Sequence, residues 1–212
     1  RMTHQWQRFA LGDCVRLLSG GTPRKSNDSY WGGHIPWVSN KDMKVNHIYG
    51  SEDHVTEEGV ENGTRLVPGG TILIVVRGMA LATEFPVAMT TTDTAFNQDL
   101  KAVIPTRQDL DAKFLFYWFR GKTREILGIA DEAAHGTKRL QTDRLLNVTL
   151  NLPPLPIQRR IAAVLRLRRP DRSQPAAHRG AGSRLAGALP RVVRRVPLPR
   201  LRVGGVGGVG AG

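Results

Sequence analysis

The chain is expected to be a mixed α/β (α+β) domain. It should have a twisted β core with flanking helices, followed by the start of a long helix and a tail of different composition. Three observations lead there. Short apolar runs bounded by glycine and proline recur at strand length, the clearest being TILIVV at residues 71–76. One aromatic-rich segment, with Leu110, Phe114, Leu115, Tyr117, Trp118 and Phe119, has helical spacing and ends at Gly121. Near the end, Val148, Leu150 and Leu152 alternate with polar residues as in a strand, and Pro153, Pro154 and Pro156 stop it. Ile157, Ile161, Val164 and Leu165 then share a helical face, with Gln158, Arg159 and Arg160 opposite.

Taken in order, residues 1–7 are polar and expected to fray. Leu11, Val15 and Leu18 are spaced for a short helix with Asp13 in its first turn. Gly20 and Gly21 would end it by supplying positive φ, and Pro23 forbids continuation. Residues 24–28 form an exposed polar loop. Tyr30, Trp31 and Trp37 surround a strand at 35–38, either as a core corner or as stacking platforms, the core corner being the expectation. The polar run Ser39-Asn40-Lys41-Asp42 is better placed to reach a ligand. Thr56 suits the N-cap of a short helix with Glu57 and Glu58 in its first turn. Residues 67–70 are a turn, 86–89 a strand, 90–94 a polar turn and 100–104 a strand, with the amides of Asn97 and Gln98 tying loops together. Ile126, Leu127 and Ile129 extend the helical layer. Residues 135–141 are expected as a loop bearing Lys138 and Arg139, and Asp143 as the cap of a helical turn.

The net charge of +13 is unevenly held. Residues 166–212 carry eleven Arg, no Lys and one acid, Asp171, for +10; residues 1–165 carry 20 basic and 17 acidic side chains, for +3. A nucleic-acid site on the folded part must therefore be a local patch. No apolar run reaches the ~20 residues of a membrane span. The single cysteine, Cys14, excludes an intramolecular disulfide, suits a cytoplasmic location and is expected as a small buried hydrophobe. Residues 20–26 and 116–123 both fail the phosphate-loop pattern, since Arg24 and Phe116 stand where glycines are needed. The Asn151-Leu152-Pro153-Pro154 stretch lacks the aromatic of a methyltransferase motif, and no glycine-rich cofactor loop accompanies it. The six histidines show no metal-ligand spacing, and no nucleophile–base arrangement stands out.

Two stretches carry a family resemblance. LPPLPIQRRIAAVL resembles the element that closes a target-recognition domain and opens the spacer helix in type I restriction-modification specificity subunits. SGGTPRKSNDSYWGGHIPWVSNKDM resembles the opening of such domains, where a GGTP loop, a YWGG turn, an IPW strand and a Lys-Asp pair occur in this order. PGGTILIVVRG, the Asn97-Gln98 pair and the Gly136-Thr137 loop are similar to further stretches of the family. The resemblance implies a target-recognition domain over residues 5–156, the start of the spacer helix over 157–166 and a separate tail over 167–212. It implies a non-catalytic subunit that reads one half of a bipartite site in double-stranded DNA and docks methyltransferase and restriction subunits. A second recognition domain or a second copy would read the other half. It implies no cofactor here, with S-adenosylmethionine, ATP and Mg on the partner subunits. The candidate DNA-contacting residues are Arg24, Lys25, Asn40, Lys41, Arg77, Lys138 and Arg139. For Arg77, pairing with an internal acid is the alternative. A recognition-domain fragment of a fused restriction or methyltransferase enzyme, or a nonfunctional remnant, are the alternative identities.

The tail departs from the family. Residues 166–212 hold nine Gly and five Pro, no aromatic and no Glu, and end VGGVGGVGAG, a composition expected to remain disordered. It is compatible with a shifted reading frame. Codons can be chosen for residues 190–200 that spell REWFVAFRFP one base out of register, similar to the end of the family's spacer helices. The alternative is a genuine basic arm binding nucleic acid without sequence preference.

Overall fold

The computed structural model describes residues 6–133 and 136–168; the expected tail lies almost wholly outside the described residues. Fourteen strands and five α-helices follow one another among them. The first half holds β1 (Gln7–Ala10), β2 (Val15–Ser19), β3 (Trp31–Val38), β4 (His47–Ile48), β5 (Asp53–Val55), α1 (Glu57–Gly63), β6 (Leu66–Val67), β7 (Ile72–Val75) and β8 (Arg77–Gly78). The second half holds β9 (Val87–Thr90), β10 (Thr94–Phe96), β11 (Leu100–Pro105), α2 (Ala112–Gly121), α3 (Thr123–Gly128), β12 (Ala130–Glu132), β13 (Lys138–Leu140), α4 (Thr142–Leu146), β14 (Thr149–Leu152) and α5 (Leu155–Arg168).

The main sheet is five-stranded, in the order β2-β11-β7-β9-β4, and all its pairs are antiparallel except β4 with β9. Its centre is the TILIVV strand: all four residues of β7 are fully buried, as a β-branched run between two neighbours requires. A second sheet, β5-β3-β10-β6, pairs β3 with β10 in parallel, and a three-stranded ribbon, β12-β13-β8, stands apart. Helix α2 lays Phe114, Leu115, Phe116 and Phe119 into the main core. Asp111 caps it, accepting the N–H groups of Lys113 and Phe114 at 2.9 and 3.0 Å. Thr56 caps α1 as the sequence suggests, its hydroxyl accepting from the Gly59 N–H at 3.1 Å.

Several expectations are overturned. Residues 15–19 form a strand, not a helix, because they pair along their whole length with β11, from Val15 opposite Pro105 to Ser19 opposite Lys101. Three apolar residues at helical spacing cannot reveal a partner strand so distant in the chain. Gln7 is not frayed but sits opposite Leu152, where β1 pairs with β14. Gly20 and Gly21 are not among the positive-φ glycines. They are glycines because backbone passes against them: a Cβ on Gly20 would lie 2.2 Å from the Phe96 carbonyl oxygen, and one on Gly21 would lie 2.2 Å from that of Gly63. Residues 138–140 are a strand paired on both sides. Asp143 lies within the first turn of α4, whose cap position is Gln141.

The polar face assigned to the last helix is also wrong in one decisive place. Gln158 is 0% exposed while Val164 is 49% exposed. The Gln158 amide nitrogen donates to the carbonyls of Asp109 and Pro153, both at 2.7 Å, and its oxygen accepts the Asp111 N–H at 2.8 Å. All its contacts lie within the chain, so a polar residue is held where an apolar one was expected.

Cys14 is fully buried and free, and burial pushes its thiol up from the ordinary value. Iodoacetamide at neutral pH should leave it unmodified in the native protein and alkylate it fully in urea, as intact mass will show.

Candidate nucleic-acid interface

The site begins where β7 ends. The Val76 and Arg77 N–H groups both donate to the Asp99 carbonyl, at 2.8 and 3.3 Å, and the Val76 carbonyl accepts the Leu140 N–H at 2.8 Å. These bonds join the ribbon to the main sheet. Arg77 then enters β8 and faces Arg139 of β13 as a direct register partner, while Lys138 faces Gly78. Because side chains alternate along a strand, Arg77 and Arg139 share one face and Lys138 takes the other.

A cleft of ≈ 190 Å³ opens on this face, lined by Val76, Arg77, Gln98, Lys101, Arg139, Leu140 and Thr142. Three of the lining residues are cationic and none is acidic. Arg77 and Arg139 are exposed, and neither has an acidic partner among the described residues, which decides the alternative left open for Arg77 against an internal ion pair. Asp131 is the cross-strand neighbour of Arg139 on its other side, but its carboxylate is held by Arg144 at 2.6 Å.

Asn40 is turned inward. Its amide nitrogen donates to the Arg77 carbonyl at 2.9 Å, and its oxygen is buried with no partner among the described residues. Gly78, at φ +149°, leaves room for it; a Cβ there would lie 2.6 Å from that nitrogen. Lys41 sits between Glu52 at 2.9 Å and Asp53 at 3.0 Å. Hydrogen bonds to Glu52 and then Asp53 hold its ammonium protonated well above the usual lysine range.

Arg24 and Lys25 are exposed on the loop after β2, with no acidic partner among the described residues. That loop is tied down by the two tryptophans: Trp37 Nε1 donates to the Gly21 carbonyl at 3.0 Å and Trp31 Nε1 to that of Arg24 at 3.3 Å. The rings meet edge to face, centroids 5.2 Å apart, in a small core with Ile35, Val55 and Ala95. Trp37 is 5% exposed and is not a stacking platform. Thr22 donates to the Gln98 side-chain oxygen at 2.6 Å, so the base of the Arg24 loop abuts the cleft. Asn97 is buried and its Oδ1 accepts the Asp99 N–H at 3.2 Å, a turn within its own loop; of the pair, Gln98 makes the expected tie between loops.

The structure thus brings together Arg77 and Arg139, ties Asn40 to the Arg77 backbone, and leaves Lys41 in its own ion-pair cluster and Lys138 on the opposite face. Sequence inspection missed Lys101 and Thr142, and gave Gln98 only a loop-tying role. Lys101 did leave a trace: it is the one charged residue inside an otherwise apolar strand, LKAVIP.

Comparison with known proteins gives a consistent answer. The model of the type I restriction modification DNA specificity domain matches residues 3–166. The specificity subunit of the Escherichia coli type I restriction enzyme EcoR124I/EcoR124II is 32% identical over 163 residues, covering 76% of this chain and 40% of that protein. The MjaIX specificity subunit of Methanocaldococcus jannaschii is 31% identical over 170 residues, covering 78% of this chain and 38% of that one. The chain therefore spans about two-fifths of the length of these relatives. The fold resembles the crystal structure of the HsdS subunit from Thermoanaerobacter tengcongensis, with a TM-score of 0.59 at 22% identity over 79% of this chain and 38% of that one. It also resembles the S subunit from M. genitalium, with a TM-score of 0.57 at 14% identity over 79% and 40%.

Proposed function

The chain belongs to the type I restriction modification DNA specificity domain family, and from that premise we propose that it is one target-recognition domain, reading one half of a bipartite site in double-stranded DNA. Residues 5–156 are the reading unit and residues 157–166 begin the spacer helix. The domain is non-catalytic. Methyl transfer and cleavage belong to partner methyltransferase and restriction subunits, which carry S-adenosylmethionine, ATP and Mg. A second recognition domain or a second copy reads the other half-site.

The observation that carries this is the acid-free cationic cleft on a molecule whose first 165 residues hold only +3 overall. A nearly neutral domain that gathers Arg77, Arg139 and Lys101 on one face has a local anionic partner rather than a diffuse one. Arg24 and Lys25 extend the same cationic character along the loop tied to Gln98. Lys41 braces Glu52 and Asp53, and Asn40 holds the Arg77 backbone, so both support the surface more than they touch DNA. Lys138 contacts DNA only where the opposite face of the ribbon does.

Selection of bound duplexes from a random-sequence pool, followed by sequencing, tests the role. The expected result is one enriched short motif, with bound DNA falling at least tenfold for an R77Q/R139Q variant that melts like wild type. An unenriched pool, or a variant that binds as wild type does, would overturn it.

A further inference from the structure

We propose that the cleft between β8, β11 and β13 seats a single backbone phosphodiester of the DNA, held by Arg77, Arg139 and Lys101 together. The seat rests on the recognition role proposed above and assigns these cations to holding the duplex in register rather than to reading bases.

The first ground is an otherwise unfavourable pairing. Arg77 and Arg139 are direct cross-strand partners, and like charges facing each other across an antiparallel pair destabilise it. No carboxylate among the described residues forms an ion pair with either; Asp131, the cross-strand neighbour of Arg139, pairs with Arg144 instead. An anion bound between the two guanidiniums would supply the missing counter-charge, and guanidinium forks match phosphate oxygens geometrically.

The second ground is convergence from separate sheets. Lys101 comes from the main sheet, yet lines the same cleft as the two ribbon arginines. Its Nζ lies 2.6 Å from the neutral Ser19 Oγ, so the ammonium is oriented without being neutralised. Gln98 and Thr142 add an amide and a hydroxyl. Three cations with neutral hydrogen-bonding groups and no acid suit a tetrahedral anion with several acceptor oxygens. The apolar part of the wall is Val76 and Leu140.

Salt dependence of binding to the selected duplex tests the seat. Each phosphate neutralised contributes about 0.9 to the slope of log K against log salt. Lys101→Met and Arg139→Gln should each lower the slope by about 0.9, and the double variant should lower it by about the same amount, not by twice as much. The enriched motif should be unchanged in all three. Lys101→Arg should retain the wild-type slope, and Ser19→Ala, which removes the hydrogen bond but no charge, should do likewise. Unchanged slopes in folded variants, an additive double loss of about 1.8 or an altered motif would overturn the single seat while leaving the recognition role standing. Failure of wild type to select any duplex would overturn both.

Discussion

Gly20→Ala should destabilise the domain by about 3 kcal/mol or more, among the largest losses open to a single methyl group. The new Cβ would sit 2.2 Å from the Phe96 carbonyl oxygen, 2.4 Å from that of Asn97 and 2.5 Å from the Phe96 ring. Two of these atoms are backbone, so no rotamer change relieves the overlap. Either the end of β2 or the β10–β11 connection must move. That movement would break the Gly21 N–H bond to the Phe96 carbonyl and the Thr22 bond to Gln98, loosening the cleft's edge as well as the core. Urea unfolding should show a lower midpoint with an unchanged slope. Gly128→Ala is the control. It lies at the end of α3 with open space around its Cβ position, and it should change stability by less than about 1 kcal/mol, in the stabilising direction.

Gln158→Leu should cost about 2–4 kcal/mol although side-chain volume is nearly kept. The loss comes from partners rather than from packing. The Asp111 N–H and the carbonyls of Asp109 and Pro153 would lose the side chain that satisfies them, and a leucine offers them nothing. The melting temperature should fall by roughly 5–15 °C at about 2–4 °C per kcal/mol for a chain of this size. Gln158→Glu separates the two halves of the effect. It keeps an acceptor for Asp111 but places a carboxylate against two carbonyl oxygens, so it should destabilise at least as much as leucine at neutral pH and recover on acidification, when a protonated carboxyl can donate. A leucine variant as stable as wild type would show that the three bonds contribute nothing net.

These two residues also mark where the sequence was legible and where it was not. The Thr56 cap, the TILIVV strand and the aromatic face of α2 could be anticipated because their causes are local: a hydroxyl three residues from an N–H, a β-branched run, a 3.6-residue period. The glycine pair was visible, but its reason was not, since the obstructing carbonyls belong to Phe96, Asn97 and Gly63. Gln158 looked like a solvent-facing polar residue because two of the three groups it satisfies belong to Asp109 and Asp111, far back in the chain. The segment at 15–19 looked helical for the same reason, its partner strand lying at 100–105. The cleft is the extreme case. Arg77 stood out at the end of a buried strand and Arg139 in an expected loop, yet their meeting depends on the ribbon pairing, and Lys101 joins them only through the main sheet. Long-range pairing is what a pattern in one chain encodes most weakly.

The Gln158 latch also makes α5 a lever. Its 14 residues span about 21 Å at 1.5 Å per residue. A tilt of about 10° pivoting at Gln158, with about 15 Å of helix beyond it, would sweep the far end through about 2.6 Å, most of the 3.4 Å between successive base pairs. Under the proposed reading of α5 as the start of a spacer, the tolerated error in half-site separation would be set at its root, by how stiffly one buried amide grips three backbone groups, and less by the length of the helix itself.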